Sequence, residues 1–208
     1  EKIVLITGAS SGIGMSIANY LSRHHFKVYG TSRSPQKSDG ELFTFLQLDV
    51  TREDTIKLAV EDIIAGEGRL DILINNAGVG ITGPLEETPE EEIKKAFETN
   101  YYGPLRMIKN VLPYMRDRKS GLIINVTSIA GYMGLPYRGI YSATKSALEI
   151  TAEAYRMEIA QFGITMTNVA PGDFATNIAS GRYHAPVLPT SPYKKVYGET
   201  LDLMNQHV

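Results

Sequence analysis

The fold is decided by the stretch Lys2-Ile-Val-Leu-Ile-Thr7-Gly8-Ala-Ser-Ser-Gly12-Ile13-Gly14. A short apolar run leads into a turn with three glycines, and Ile13, Ile17 and Leu21 then recur at helical spacing. Glycines let a backbone turn tightly and approach a pyrophosphate, while the amides at a helix N-terminus attract its charge. The pattern predicts a dinucleotide-binding turn, although its Gly-x-x-x-Gly-x-Gly spacing alone could also serve as a plain strand-to-helix connection.

The same alternation of strand and helix continues along the chain. Apolar, β-branched runs predict strands over residues 2–7, 26–31, 43–48, 70–75, 121–127 and 164–170. Helical spacing predicts helices over residues 13–23, 52–66, 89–100 continuing to 115, 143–162 and about 195–206. Hydrophobicity that is continuous along the strands indicates burial on both faces, hence a parallel sheet with helices on each side. We therefore predict an α/β, doubly wound (Rossmann-type) fold in one domain over residues 1–208.

Composition and charge exclude several classes of function. A net charge of −2, from 21 basic and 23 acidic residues, gives no electrostatic reason to expect nucleic acid or an anionic membrane as a partner. The absence of cysteine excludes disulfides, thiolate metal sites and thiol nucleophiles. No window approaches the roughly 18 apolar residues of a membrane span, so we expect a cytoplasmic protein.

The acidic run over residues 86–92 could be imagined as a metal site. An ordinary helix start explains it better. Thr88 would be the N-cap, Pro89 would occupy the first helical position, and glutamates in the first turn complement the helix dipole. No metal is predicted.

A second motif, Tyr141-Ser-Ala-Thr-Lys145, indicates proton chemistry. Tyr141 and Lys145 would lie one helical turn apart on one face. A free phenol is too weakly acidic to be an efficient base at neutral pH, and a neighbouring ammonium stabilises the phenolate. Ser128, just after a predicted strand, could donate a hydrogen bond to a substrate oxygen. Separately these could be a half-buried aromatic, a surface cation and a turn residue, but together on a nucleotide-binding fold they indicate a proton-handling site.

The end of the second predicted strand indicates which dinucleotide is bound. An acidic residue at this place would bind the ribose hydroxyls of NAD. The chain instead has Ser32, Arg33 and Ser34, which can bind a 2′-phosphate. NADP(H) is therefore the preferred cofactor and NAD(H) remains possible, the alternative being that Arg33 is a solvated loop cation.

Two further turns follow the third and fourth predicted strands, where ligands bind in parallel sheets. The first contains Asp49 and Val50, and the second contains Asn76, Ala77 and Gly78. These residues could instead serve only the turns themselves.

In their order along the chain, these motifs resemble the short-chain dehydrogenase/reductase family, in its single-domain form. The resemblance runs to about Thr176 and rests on Thr7-Gly8-x-x-x-Gly12-Ile13-Gly14, Asp49, Asn75-Asn76-Ala77-Gly78, Asn100, Ser128, Tyr141-x-x-x-Lys145 and Pro171-Gly172-x-Phe174-x-Thr176. It implies a catalytic set of Asn100, Ser128, Tyr141 and Lys145. The predicted cofactor-binding residues are Gly8, Ser10, Ser11, Gly12, Ile13, Gly14, Ser32, Arg33, Asp49, Val50, Asn76, Ala77, Gly78, Tyr141, Lys145, Pro171, Gly172, Phe174 and Thr176.

The resemblance also implies a role for each catalytic residue. Tyr141 would be the general acid in reduction and the base in oxidation. Lys145 would hold the nicotinamide ribose and assist Tyr141. Ser128 would orient the carbonyl, and Asn100 would anchor a water molecule that links Lys145 to solvent.

The implied activity is an NADP(H)-dependent interconversion of a ketone or aldehyde with an alcohol. The substrate would be a small molecule, and the protein would be a homodimer or homotetramer through the helix that carries Tyr141. The alternatives are an epimerase or dehydratase, whose usual Gly-x-x-Gly-x-x-Gly turn is absent, and a non-catalytic dinucleotide sensor, which would need none of Ser128, Tyr141 and Lys145. Substrate contacts are expected from residues 132–138 and from a substrate-binding loop at about 177–197, in which His184 is a loop histidine. Family members usually continue to a seventh strand, so the C-terminal edge strand is expected to be missing.

Overall fold

The apolar runs of the sequence pair as a parallel sheet. The computed structural model describes residues 1–34, 42–172 and 181–206. Within these residues, six strands form one sheet in the order β3-β2-β1-β4-β6-β7, and a two-stranded parallel sheet pairs β5 with β8. The strands are β1 (Lys2–Ile6), β2 (Phe26–Ser32), β3 (Thr44–Gln47), β4 (Ile72–Asn75), β5 (Ile81–Thr82), β6 (Gly121–Val126), β7 (Ile164–Val169) and β8 (Tyr183–His184).

Helices cover both faces of the six-stranded sheet. They are α1 (Gly12–Arg23), α2 (Glu53–Glu67), α3 (Glu90–Phe97), α4 (Gly103–Asp117), α5 (Gly139–Ile159) and α6 (Lys194–Gln206). Val4 and Ile6 of β1 pack into one core with Ala18 of α1. Ile3 and Leu5 point the other way, into a core with α2, α4 and α5. Successive residues of a strand alternate between faces, so burial of both sets explains the unbroken apolar run. The predicted doubly wound α/β fold is confirmed.

The strand order reverses between β1 and β4. The chain runs outward from β1 to β2 and β3 on one side, and from β4 to β6 and β7 on the other. The chain therefore leaves the neighbouring strands β1 and β4 in opposite directions along the sheet. A crevice opens above the adjoining carboxyl ends of these strands, which is where this class of fold binds ligands.

The predicted unbroken helix over residues 89–115 was wrong. A π-helical turn, Glu98–Tyr102, separates α3 from α4 and contains Asn100. Pro104 carries no N–H, so the α-helical bond from residue 104 to the carbonyl of Asn100 cannot form. Single π turns are typical of functional positions, because they shift the register of a helix locally.

The start of α3 also differs from the prediction. The hydroxyl of Thr88 donates to the carbonyl of Pro84 at 2.7 Å, so Thr88 does not cap the helix. Residues in the acidic run pair with Lys94 and Lys95 of the same helix. In the part of the chain that the structure describes, no group of three or more acidic or histidine side chains could hold a metal ion. In the same part, no helix combines the length and apolar content that a membrane crossing requires.

Candidate active site

A cleft of about 910 Å³ lies at the carboxyl ends of the parallel strands. The loops after β1, β2, β3, β4, β6 and β7 contribute to its wall, together with the start of α5. The structure thus brings together segments that are widely separated in the sequence. The predicted site residues that line the cleft are Gly8, Ser10, Ser11, Gly12, Ile13, Ser32, Arg33, Asp49, Val50, Asn76, Ala77, Gly78, Ser128, Tyr141, Lys145, Pro171 and Gly172.

The glycine turn has the geometry that its sequence predicts. Gly8 and Gly12 adopt φ values of 68° and 56°, in the left-handed region that favours glycine. Gly14 is buried behind the turn rather than lining the cleft. A Cβ at this position would lie 2.3 Å from the carbonyl oxygen of Gly8 and 2.4 Å from Nδ2 of Asn76. Gly14 therefore lets α1 approach the turn closely, with the helix N-terminus directed at the cleft.

The loops after β1 and β4 are clamped together by two side chains. Nδ2 of Asn76 donates to the carbonyls of Thr7 and Gly8, each at 2.9 Å. In return, Oγ1 of Thr7 accepts from the backbone N–H groups of Asn76 and Ala77 at 2.9 and 3.0 Å. Thr7 was not predicted as a site residue, and its only sequence signal is a threonine at the junction of a strand and a glycine turn. The clamp fixes the floor of the cleft.

Arg33 lies at the open end of the cleft. Its side chain is exposed, and no carboxylate within residues 1–34, 42–172 and 181–206 forms an ion pair with it. The carbonyl of Arg33 accepts from Nε2 of Gln47 at 3.1 Å, and Oγ of Ser32 accepts from the N–H of Ser34 at 3.3 Å. These hydrogen bonds hold the backbone in place, and the guanidinium of Arg33 is positioned to bind an anion.

Asp49 serves a turn and also lines the cleft. Its Oδ1 accepts from the N–H of Thr51 at 2.9 Å and from the hydroxyl of Thr51 at 2.8 Å. Its own N–H donates to Oγ1 of Thr55 at 3.0 Å. The turn interpretation is thus confirmed, and a contact of Asp49 with the cofactor stays a prediction.

Tyr141 and Lys145 are buried side by side at the start of α5. Only 7% of Tyr141 and 5% of Lys145 is exposed. Nζ of Lys145 lies 5.9 Å from the centroid of the Tyr141 ring, and the guanidinium carbon of Arg138 lies 5.3 Å from it. Nζ also donates to the carbonyl of Val126 at 3.0 Å. Burial lowers the pKa of Lys145 to about 8, and the negative charge of Glu149 opposes that shift.

Ser128 begins a short 3-10 helix, Ile129–Tyr132, that packs on α5. Oγ of Ser128 accepts from the N–H of Ala130 at 3.2 Å. The carbonyl of Gly131 accepts from the hydroxyl of Ser146 at 2.5 Å, which ties the short helix to the residue after Lys145. Ser128, Tyr141 and Lys145 therefore share one region of the cleft.

Asn100 lies one layer behind the cleft and is fully buried. Its Oδ1 accepts from the N–H of Val79 at 2.8 Å, and its Nδ2 donates to the carbonyl of Val79 at 2.9 Å and to Oγ1 of Thr144 at 3.1 Å. A Cβ at Gly78 would meet Oδ1 of Asn100 at 3.3 Å and Nζ of Lys145 at 3.5 Å. Asn100 and Lys145 thus flank the same glycine. Sequence reasoning did not find Thr144, which connects Asn100 to the Tyr141 helix.

The C-terminal part of the cleft wall is described only in part. Pro171 and Gly172 line the cleft, whereas Phe174 and Thr176 lie outside the described residues. Of the predicted substrate-binding loop, residues 181–197 are described, and the cleft-lining ones are Gly181, Arg182 and Tyr183.

His184 does not line the cleft, and burial, with a smaller contribution from Arg182, lowers its pKa. Thr31, Thr127 and Arg138 also line the cleft. Arg138 belongs to residues 132–138, from which substrate contacts were predicted, whereas no sequence motif pointed to Thr31 and Thr127.

Tyr197 anchors α6 to the small sheet beside the cleft. It is 1% exposed, and its hydroxyl donates to the carbonyls of Ala185 at 2.8 Å and Thr82 at 3.2 Å. Its ring packs at 5.1 Å from that of Tyr137, which has the left-handed φ of 60°. The polypeptide just before Arg138 and Tyr141 is therefore held by packing from α6.

Comparison with known proteins agrees with this geometry. A family model for short chain dehydrogenase matches residues 2–186. The chain belongs to the short-chain dehydrogenase/reductase family. The family prediction is confirmed, and with it the enzyme class, an NAD(P)-dependent oxidoreductase that acts on CH–OH groups.

Several individual proteins are similar to this member of the family. A 3-ketodihydrosphingosine reductase of Bacteroides thetaiotaomicron is 49% identical over 181 residues, which make up 87% of this chain and 67% of that protein. A solved short-chain dehydrogenase from Streptomyces avermitilis is 37% identical with a TM-score of 0.89, over 99% of this chain and 79% of that one. ElxO, solved with NADP bound, is 35% identical with a TM-score of 0.81, over 87% of this chain and 79% of that one.

Proposed function

We propose that this chain is an NADP(H)-dependent oxidoreductase that interconverts a ketone or aldehyde with its alcohol, using Tyr141 as general acid and base. The observation that carries the proposal is the burial of Tyr141 beside Lys145, in the same cleft as the glycine turn. Proton transfer needs a phenol close to a cation, and hydride transfer needs a dinucleotide within reach. One cleft offers places for both.

The residues of the cleft fit an NADP(H) molecule. Gly8 and Gly12 have the left-handed backbone that a pyrophosphate-binding turn requires, and Arg33 can bind a 2′-phosphate. The bound NADP of ElxO supports the same cofactor, with NAD(H) as the alternative. When bound, NADP(H) supplies or accepts the hydride. We assign to its binding Gly8, Ser10, Ser11, Gly12, Ile13, Ser32, Arg33, Asp49, Val50, Asn76, Ala77, Gly78, Tyr141, Lys145, Pro171, Gly172 and, outside the described residues, Phe174 and Thr176, with Gly14 shaping the turn from behind.

The proton chemistry follows from the surroundings of Tyr141. In reduction its phenol donates a proton to the carbonyl oxygen, and in oxidation the phenolate takes that proton back. The ammonium of Lys145 stabilises the phenolate. Oγ of Ser128 already accepts from the N–H of Ala130, so its own proton is free to point at the substrate oxygen.

The substrate is expected to be a ketone with a long apolar chain. The relative with 49% identity is named for 3-ketodihydrosphingosine, which is such a ketone. In this chain, the residues after Ser128 include the exposed apolar side chains Ile129, Tyr132 and Met133. Ile129 also lies beside cleft-lining Gly172. Such a surface suits an alkyl chain that leaves the cleft next to the reacting carbon.

Other parts of the proposal concern the whole protein. Residues 1–208 are proposed as one dinucleotide-binding and catalytic domain, with the substrate-binding loop at about 177–197. Ile150 and Met157 of α5 are 69% and 71% exposed, which supports a homodimer or homotetramer through this helix. Cytoplasmic localisation remains a prediction. The epimerase or dehydratase and the dinucleotide sensor remain the alternatives.

The proposal is tested by Tyr141→Phe, with Tyr155→Phe on the same helix as the matched control. A panel of ketones, aldehydes and alcohols is followed at the nicotinamide absorbance with both cofactors. We expect Tyr141→Phe to lower kcat by about 100-fold or more, with NADPH affinity changed only a few-fold, because it removes the proton donor and little else. Unchanged turnover would remove Tyr141 from its role. NADPH binding by the wild type without turnover of any substrate would favour the sensor.

A further inference from the structure

Three asparagines form a hydrogen-bonded row across the carboxyl end of the sheet. Asn75 of β4, Asn125 of β6 and Asn168 of β7 are register partners on neighbouring strands. Nδ2 of Asn75 donates to Oδ1 of Asn125 at 2.9 Å, and Nδ2 of Asn125 donates to Oδ1 of Asn168 at 3.1 Å. The row ends at α5, where Nδ2 of Asn168 donates to Oε2 of Glu149 at 2.6 Å. Asn75 and Asn125 are buried, and Asn168 and Glu149 are half-buried.

Glu149 sets the direction of the whole row. An ionised carboxylate only accepts hydrogen bonds, so Asn168 must turn its NH₂ group toward Glu149 and its oxygen toward Asn125. The same reasoning then fixes Asn125 and Asn75. All three amides thus donate toward the carboxylate, and aligned amides polarise one another. At the far end, Oδ1 of Asn75 is buried without a hydrogen-bond partner among the described residues.

The carboxylate that the row holds is close to the proton-handling site. Glu149 lies one helical turn after Lys145 on α5, and the phenol of Tyr132 faces its carboxylate from the 3-10 helix. Nζ of Lys145 donates to the carbonyl of Val126, which directly follows Asn125. A half-buried carboxylate one turn from a buried ammonium favours the protonated ammonium, because opposite charges attract.

Among the residues that the structure describes, the other groups that face Lys145 carry no negative charge. Tyr141 faces it from its own helix, the 3-10 helix offers the backbone of Gly131, and Gly78 and Asn100 face it from the β4 side. Arg138 lies over the Tyr141 ring and is itself a cation. Burial lowers the pKa of Lys145 to about 8, and the charge of Glu149 is the influence that raises it. The phenol of Tyr132 is the titratable group that faces Glu149 from the 3-10 helix, and its pKa is raised by desolvation and by a hydrogen bond to Glu149.

We propose that Glu149 is a positioning residue that keeps Lys145 protonated at neutral pH, and that the row Asn75–Asn125–Asn168 holds its carboxylate in place. The electrostatic link between the two residues stands on its own. Its catalytic consequence rests on the proposed function, because a protonated Lys145 matters only if Tyr141 must become a phenolate.

The test compares Glu149→Gln with Glu153→Gln, which removes the same charge from an exposed position one turn further along α5. Lys145 is titrated by NMR through isotope-labelled lysine side chains in the cofactor-free protein. In the wild type we expect a midpoint of about 8. Glu149→Gln should lower it by at least about half a pH unit, because an opposite charge has been removed. Glu153→Gln should leave it unchanged.

A second variant, Asn168→Leu, covers the case in which Glu149→Gln does not fold. Asn168→Leu removes the amide that donates to Glu149 and keeps the charge of Glu149. It should lower the titration midpoint of Lys145 by less than Glu149→Gln does. An unchanged midpoint in Asn168→Leu would remove the row from the proposal.

The activity readout separates this inference from the proposed function. In Glu149→Gln the alkaline limb of the pH profile of kcat/KM should shift to lower pH, by as much as the titration midpoint of Lys145 does. Turnover below neutral pH should stay near that of the wild type. An unmoved Lys145 midpoint in folded Glu149→Gln, or an equal shift in Glu153→Gln, would overturn the inference even if the chain reduces ketones. A lowered midpoint in a protein without turnover would overturn the proposed function and leave the electrostatic link standing.

Discussion

Gly14→Ala is the substitution whose cost can be worked out most directly from the structure. The added methyl group would lie 2.3 Å from the carbonyl oxygen of Gly8 and 2.4 Å from Nδ2 of Asn76. Neither atom can move alone, because Nδ2 of Asn76 donates to the carbonyls of both Thr7 and Gly8. The glycine turn must therefore move away from α1, or Asn76 must leave the turn.

Two costs and one gain set the magnitude of the effect. Overpacking typically costs about 1–3 kcal/mol, and separating a buried amide from its acceptor costs about 1–3 kcal/mol. Replacing a helical glycine by alanine returns up to about 1 kcal/mol by restricting the unfolded chain. We expect the free energy of unfolding to fall by about 3 kcal/mol, which lowers Tm by about 6–12 °C for a chain of this size. The displaced turn should also weaken NADPH binding.

The matched control is Gly66→Ala in α2. No atom lies within 4 Å of a Cβ at this position, so the same substitution gains helix propensity at no steric cost. It should raise the free energy of unfolding by about 0.4–1 kcal/mol. Thermal and urea unfolding of the cofactor-free proteins, followed by circular dichroism, measure both effects. A Tm for Gly14→Ala equal to or above that of the wild type would refute the close packing between α1 and the glycine turn.

Three further predictions concern cofactor choice, pH dependence and the C-terminal helix. Ser32→Asp combined with Arg33→Ala should weaken NADPH binding at least about 10-fold and leave NADH binding unchanged. The reason is that the charge-assisted hydrogen bond lost between Arg33 and the 2′-phosphate contributes about 1.5–3 kcal/mol. Tighter NADPH binding in calorimetry would contradict the assignment of NADP(H). The pKa of Lys145 is about 8 in the folded chain and has its ordinary value of 10.5 in the unfolded chain. Between these pH values the unfolded chain binds more protons at this lysine, so the free energy of unfolding rises with pH through that window. Urea unfolding across that window should show this gain in the wild type and not in Lys145→Met, and equal slopes would argue against burial of the charge. Tyr197→Phe should cost about 1–3 kcal/mol, because the carbonyl of Ala185 loses its donor and that of Thr82 keeps only the N–H of Ala185. It should also speed hydrogen exchange in residues 181–206 first, whereas exposed Tyr20→Phe should change neither quantity.

The layout of the sheet could be predicted because its signal is local. Ile3 and Leu5 face one core and Val4 and Ile6 face the other, so the strand is apolar at every position. The break between α3 and α4 also has a local signal, since Pro104 denies Asn100 its α-helical partner. The predicted helix over residues 89–115 ran through this proline.

The candidate site was less predictable where its contacts join distant segments. The motifs name Gly14 and Asn76 as cofactor residues, yet the structure places Gly14 behind the turn and uses Asn76 to clamp the loops of β1 and β4. Thr7 and Thr144 escaped notice because a buried threonine has no distinctive pattern until its partner is known. The link from Asn168 to Glu149 depends on strand register, which no single stretch of sequence contains.

Burial of Lys145 creates a conflict that the fold must resolve. In the mechanism that we propose, the ammonium would stabilise a phenolate on Tyr141 most strongly when water is excluded from both groups, since a low local dielectric strengthens their attraction. The same exclusion lowers the pKa of Lys145 to about 8, close to the point at which the cation would be lost. A carboxylate in direct contact would restore the proton but would also neutralise the charge that Tyr141 needs. Glu149, one helical turn away and held by a row of amides rather than by Lys145 itself, raises the pKa of the lysine while leaving its charge directed at Tyr141.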